Sequence, residues 1–304
     1  MELGNRFVLG HYQLMTTDIR ALMKQLRFWT FASIKGAMIM GEKRVGKTYT
    51  IRFLLRNLEK VLGTDCYAIS LVWKPMKQVN EKRFWRRFLR ASGYNTSLPG
   101  DADVLEERLL KRIQLSCEQA GVPVCFIAID EAQNMTPDDC ALLCYLFNQI
   151  EEMNIRLYTL LFGQHELEHL KTLMEQSDQG QVIARFMQHS FVMNGVTTAS
   201  GLKSLLGQID KMGITAEELC QSPDDAFKLA GMASTLWAAK TQLHKDRGEP
   251  ASTPWTMQTF HSVVAVILQH LGKRDPETEP MTQDDLYQII NLIGTRAPAR
   301  ADDD

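Results

Sequence analysis

No run of eighteen apolar residues occurs in the 304-residue chain, which leaves no segment able to cross a bilayer as a helix. The opening MELGNRFVLGHYQ lacks the basic start and long apolar stretch of a secretory leader, so the expected location is cytoplasmic, with no membrane partner. Six cysteines (Cys66, Cys117, Cys125, Cys140, Cys144, Cys220) form no CxxC pair of the metal-binding kind, and reduced core thiols are expected. A basic excess is also missing. The formal net charge of -2 argues against a globally basic nucleic-acid binder, so any such role must rest on a local patch. No internal repeat is found.

What is present is ordinary for a globular protein: 45% hydrophobic and 23% charged residues, enough to bury a sizeable core. The length exceeds the usual single core and suits one large α/β domain plus a smaller satellite. Ile19, Leu22, Met23 and Leu26 at helical spacing behind Thr16/Thr17 predict a helix over 16–35. GAMIM then reads as a strand. Ile51, Leu54, Leu55, Leu58, Val61 and Leu62 predict one helix stopping at Gly63, followed by the buried strand CYAISLVW (66–73). Helices over about 80–92 and 101–120 precede a third strand, VCFIAID (124–130), and Thr136-Pro137 caps the next helix. RLYTLLF (156–162) and SFVMN (190–194) are the fourth and fifth strands. Strands alternating with helices imply a parallel sheet covered on both faces. Beyond 199 the pattern is helical only: 199–212, 224–246, 255–271 and 282–293. GKRDPETEP (272–280) reads as a linker and ARADDD as a frayed tail.

Gly41-Glu42-Lys43-Arg44-Val45-Gly46-Lys47-Thr48 satisfies GxxxxGK[ST] immediately after a strand and at the opening of a helix. Glycines let such a loop curl so that backbone N–H groups face an anion, and the helix N-terminus adds partial positive charge. The segment from Gly41 to Tyr49 is therefore the candidate ATP cradle. Lys47 would reach the β and γ phosphates, and the Thr48 hydroxyl is a natural Mg²⁺ ligand. Lys43 and Arg44 are not required by the motif and are expected to be solvated or used between subunits. The apolar strand VCFIAID ends in Asp130-Glu131, which puts two acids at the carboxyl edge of the sheet beside the loop. Asp130 would hold Mg²⁺ through water, and Glu131 would activate the attacking water, a pairing that points to hydrolysis. Gln164, after the fourth strand, is placed to contact the γ-phosphate or that water; Arg185 is either an arginine finger for an adjacent subunit or a structural arginine.

Between 74 and 90 there are seven basic residues (Lys74, Lys77, Lys82, Arg83, Arg86, Arg87, Arg90) against the single Glu81. Phe84, Trp85, Phe88 and Leu89 form the apolar face of this helix, which leaves the cations to track DNA phosphates or to pair with Asp101, Asp103, Glu106 and Glu107. HELEH (165–169) matches the HExxH zinc-peptidase pattern, but it follows a strand of a nucleotide-binding sheet and no third ligand stands out. Cys140 and Cys144 share a helix face with Leu143 and Phe147 and are simply core.

With GEKRVGKT, FIAIDEAQNM and FGQHEL in view, the chain over about 15–245 resembles the AAA+ ATPases of transposition, the TnsC, TniB and MuB group. FGQHEL is similar to that family's Gly-Gln-x-Glu-Leu after strand four. The resemblance implies a parallel P-loop sheet of the AAA+, ASCE type flanked by helices, with a smaller all-helical lid and a C-terminal helical extension. The corresponding expected boundaries are a helical segment 1–35, a nucleotide-binding domain 36–197, a lid 198–271, and a linker, terminal helix and tail 272–304. It also implies ATP hydrolysis with Mg²⁺ and homo-oligomeric rings or filaments on double-stranded DNA. The expected protein partners are a target-selection protein of the TniQ or TnsD kind and a transposase. An initiator or helicase-loader assembly factor and a P-loop signalling switch without DNA contact are the alternatives. One departure is visible: where many AAA+ lids carry an arginine, AGMASTLWAAK offers Ser234 and Thr235, which puts a cis-acting arginine in doubt and fits slow hydrolysis.

Overall fold

A computed structural model describes residues 7, 12–75, 80–94, 99–177, 179–219, 227–272 and 281–294. Lys77 and Cys220 lie outside the described residues. Tertiary contacts divide the chain into two units. One comprises 21–43 and 47–193 and holds the sheet; the other comprises 1–20, 44–46 and 194–304 and is helical.

The sheet unit begins within α1 (Thr17–Phe31), which ends four residues short of the expected 35 because Ser33, at φ 57, reverses the chain. β1 (Gly36–Gly41) is buried along its whole length, as its unbroken apolar run requires of a parallel strand covered on both faces. The expected single helix to Gly63 is two: α2 (Lys47–Leu55) and α3 (Leu58–Leu62). Asn57 at φ -131 breaks it, its side-chain amide donating to Phe53 O at 2.9 Å. Gly63, left-handed at φ 75, closes α3.

β2 (Tyr67–Val72), α4 (Glu81–Ala91), α5 (Ala102–Ala120) and β3 (Val124–Asp130) follow as the periodicities predict, with Asn80 and Asp101 as N-caps. Thr136 and Asp139 form a reciprocal capping box for α6 (Pro137–Glu152). β4 (Arg156–Gly163), α7 (Leu167–Gln176), the single turn α8 (Gly180–Val182), a π-helical turn at Ile183–Met187 and β5 (Ser190–Met193) complete the unit. The strands are parallel, in the order β2-β3-β4-β1-β5. β4 is thus inserted between β1 and β3, and β2 is left as an edge. The Phe84, Trp85, Phe88 and Leu89 face of α4 is fully buried in this unit's core, alongside Cys117, Cys125, Cys140 and Cys144.

The helical unit contains α9 (Ala199–Lys211), α10 (Ile214–Glu218), α11 (Ala233–Asp246), α12 (Met257–Leu271) and α13 (Gln283–Gly294). α11 starts later than the expected 224, after a 3-10 turn at Leu229–Met232. α13 shares one core with α9, α11 and α12, through Leu286, Ile289 and Ile290, so the terminal helix is integral to this unit. Its amino-terminal part is fastened by Asp18, whose Oδ2 accepts from the backbone N–H of Asn194 (3.0 Å) and Gly195 (2.7 Å). Burial pushes that carboxyl upward in pKa, and the two N–H donors pull it back. Among the described residues no helix is long and apolar enough to cross a membrane.

Candidate active site

Because the strands run parallel and β4 separates β1 from β3, the loop after β1, the acids ending β3 and Gly163-Gln164 ending β4 line one edge of the sheet. Within the loop, Arg44 (φ 66) and Gly46 (φ 111) are left-handed; the value at Gly46 is one that L side chains rarely adopt. α2 begins at Lys47, so its unbonded N–H groups and positive dipole end face the loop. Glu42, Lys43 and Arg44 are exposed, Val45 is buried and Tyr49 is half-buried, 6.5 Å ring to ring from Phe53. Arg44, Val45 and Gly46 group with the helical unit, where Gln258 N donates to Arg44 O at 3.4 Å.

The Lys47 ammonium is buried and donates to Gly41 O (2.7 Å) and Glu42 O (2.9 Å). Burial lowers its pKa, and the charges of Glu131, Asp130, Glu42 and Glu166 oppose that shift. Thr48 Oγ1 donates to Asp130 Oδ2 at 2.5 Å, and Glu131 N donates to Asp130 Oδ1 at 3.0 Å. Burial raises the Asp130 carboxyl, while these two donors hold it down. A hydroxyl and a carboxylate in contact supply the oxygen donors a hard divalent cation takes, so Thr48 and Asp130 fit Mg²⁺ completed by phosphate oxygens and water.

Glu131 sits in the left-handed region, φ 55 and ψ 37, a conformation that costs a non-glycine residue about 1–2 kcal/mol. Its carboxylate accepts from Gln133 Nε2 at 2.6 Å. The other end of that amide, Oε1, accepts from Gln164 N at 3.2 Å. Gln133 was not singled out by the sequence; a glutamine inside DEAQN carries no pattern of its own.

Arg185 stands at the opposite, amino edge of the sheet, where a Cβ on Gly36 would lie 2.1 Å from its carbonyl oxygen. Its guanidinium donates to Asn148 Oδ1 (2.9 Å) and Cys144 Sγ (3.3 Å) and lies 5.5 Å from the Phe147 ring centroid. A polar groove of about 540 Å³ opens there, bordered by the ion pair of Lys35 and Glu151. No local pattern marks that pair in the sequence.

A second groove, also about 540 Å³, lies between the β2 edge and α4, lined by Val72, Lys74, Arg83, Arg86, Arg87 and Arg90. Lys82 is exposed beside it. Arg87 Nη2 donates to Lys74 O at 2.9 Å, and its guanidinium lies 4.7 Å from the Trp73 ring centroid. Among the described residues, none of these cations is within ion-pair distance of a carboxylate. Of the downstream acids, Asp101 caps α5 and Glu106 accepts from Tyr145 at 2.8 Å.

In HELEH, His165 precedes α7 rather than sharing a helical turn with His169. Its nearest charged partner is Glu42 Oε1, at 3.7 Å. Among the described residues no group of three His, Cys, Asp or Glu side chains is arranged to hold a metal.

Residues 35–170 match the family model described as AAA domain. The fold is AAA+. Among solved structures, the ADP form of the Aeropyrum pernix ORC2 protein aligns with 94% of this chain and 72% of its own, at 14% identity and a TM-score of 0.59. The ADPNP-ADP complexes of that protein align with 95% and 72%, at 13% identity and 0.58. No curated protein matches the sequence. At such identities the likeness is one of fold.

Proposed function

We propose that this AAA+ protein is a Mg²⁺-dependent ATP hydrolase that assembles on double-stranded DNA with ATP and comes apart on hydrolysis. The carrying observation is the contact of Thr48 with Asp130 beside the buried Lys47, with Glu131 next in sequence. Lys47 would hold the β and γ phosphates. Glu131 would take a proton from water as the water oxygen bonds to the γ-phosphorus and the β–γ bridge P–O bond breaks, leaving ADP and phosphate. Bound Mg²⁺ would neutralise phosphate charge during that exchange.

DNA binding rests on the unpaired cations beside β2 and α4, which suit a phosphate backbone and carry no base-reading geometry. Within the AAA+ assemblies that act on DNA, the Gly163-Gln164-x-Glu166-Leu167 segment favours a transposition regulator that links a TniQ- or TnsD-like target selector to a transposase. An initiator-type assembly factor shares the fold and would show no transposase contact.

Arg185 is the proposed trans-acting arginine: it lies on the amino edge, away from its own loop, and to serve a neighbour's site it would exchange its contacts with Asn148, Cys144 and the Phe147 ring. Electron microscopy with duplex DNA and a slowly hydrolysed ATP analogue tests the whole reading: rings or filaments should form only when both are present. Arg185→Ala should cut hydrolysis in the assembled protein at least about tenfold. Mixing it with Lys47→Ala should restore part of the activity. Oligomers with no recovery in any mixture would make Arg185 structural.

A further inference from the structure

We infer that Gln133 is a positioning residue that ties the Glu131 carboxylate to the peptide at the end of β4. This rests on Glu131 being the general base proposed above. A carboxylate on a flexible two-carbon stem, raised on a left-handed backbone at φ 55, has several rotamers open to it unless something holds it. Gln133 Nε2 holds it at 2.6 Å. The same amide is fixed at its other end, because Oε1 accepts from Gln164 N at 3.2 Å. Only one orientation of the amide serves both contacts: nitrogen towards the carboxylate, oxygen towards the N–H.

The surroundings are built for this bridge. A Cβ on Gly163 would lie 2.8 Å from Gln133 Oε1, so the strand must end in glycine for the amide to reach the Gln164 peptide. Gln133 itself lies on the 3-10 turn Ala132–Asn134. That turn is anchored on both sides: Ala132 is fully buried, and Asn134 Nδ2 donates to Trp73 O at 3.1 Å. The amide is therefore mounted on rigid backbone rather than on a free loop. Any shift of the Gln164 peptide is passed through a single side chain to the acid that handles the water. Gln133 touches neither nucleotide nor water in this scheme; it acts through Glu131.

The test compares the unsubstituted 304-residue chain with Gln133→Ala, Gln133→Glu, Glu131→Gln and the double variant Gln133→Ala/Glu131→Gln. Steady-state ATP hydrolysis, binding of a fluorescent ATP analogue and amide hydrogen exchange without nucleotide are the three readouts. Gln133→Ala should lower kcat by about ten- to a hundredfold, with KM and analogue affinity within about twofold, the pattern of a displaced catalytic group. Gln133→Glu keeps the size but sets one carboxylate against another, and should lose at least as much.

In the Glu131→Gln background, adding Gln133→Ala should change kcat by less than about twofold, because residues acting as one unit are not additive. Independently of turnover, Gln164 N–H should exchange about five- to tenfold faster in Gln133→Ala, having lost its acceptor. A wild-type kcat in Gln133→Ala, an equal loss with and without Glu131, or unchanged exchange at Gln164 would each overturn the inference. A wild-type rate in Glu131→Gln would overturn the assignment of the base itself; the exchange result would still show whether the bridge exists.

Discussion

At the carboxyl edge of the sheet the charged groups answer one another: Lys47 is buried among the fields of Glu131 and Asp130, and Asp130 is held by Thr48. Beside β2 and α4 they do not. Five cations line a groove with no carboxylate in ion-pair range among the described residues, and Arg86 Nε and Arg87 Nη1 are buried without an acceptor. A buried donor left unsatisfied costs about 1–3 kcal/mol, and burial already presses the Arg87 guanidinium downward in pKa. The first region is organised from within, whereas in the second the Asp139 carboxylate acts on Arg87 through its field and makes no ion-pair contact among the described residues. Charge alone would not separate them; the difference is whether each polar atom has a partner.

The largest effect should come from breaking the self-contained region at its centre. Lys47→Ala removes the ammonium proposed to meet two phosphates, each such contact being a charge-assisted hydrogen bond of about 1.5–3 kcal/mol. ATP affinity should fall about 10³-fold, and nucleotide-dependent assembly on DNA should vanish. Equilibrium binding of a fluorescent ATP analogue measures this directly; wild-type affinity would remove Lys47 from the phosphate site. Glu131→Gln sharpens the same region more gently. It keeps the size and a hydrogen-bonding terminus but cannot take a proton, so kcat should drop about 10²-fold while MgATP binding and DNA-bound assemblies persist. Sedimentation of protein–DNA complexes after ATP addition would show them outlasting those of the wild type.

How legible the two regions were in the sequence follows from the same contrast. The strands β1, β3 and β4, the Thr136 cap and the Gly63 stop were readable because local pattern and tertiary burial agree there. The loop and the acidic strand end were readable as motifs for the same reason. Strand order was not, since nothing local says that β4 inserts between β1 and β3. Gln133 was missed because its meaning lies in a contact 31 residues away. The split at Asn57 escaped because apolar positions keep helical spacing across it. In the basic stretch the composition was plain and the shape was not. Only the structure shows that Arg87 packs over Trp73, that the groove is floored by an edge strand, and that Asp101 and Glu106 are occupied elsewhere.

The smallest expected effect probes the unpartnered region. Each phosphate neutralised on duplex DNA contributes about 0.9 to the slope of log affinity against log salt. Arg86 and Arg90 line the groove, so replacing both with Gln should shallow that slope by up to about two per protomer. Between 50 and 200 mM salt that is about a tenfold difference in how much affinity is lost, well within reach of fluorescence anisotropy on labelled duplexes. Sequence preference should stay slight in wild type and variant alike, because phosphate contacts carry register rather than base identity. ATP-analogue affinity should be unchanged, since neither arginine is among the contacts of Lys47, Thr48, Asp130 or Glu131. An unaltered salt slope with DNA affinity intact would show that the groove does not track phosphates. Its unanswered cations would then have to be explained by a protein partner, and the contrast between the two regions would mark a docking site rather than a DNA path.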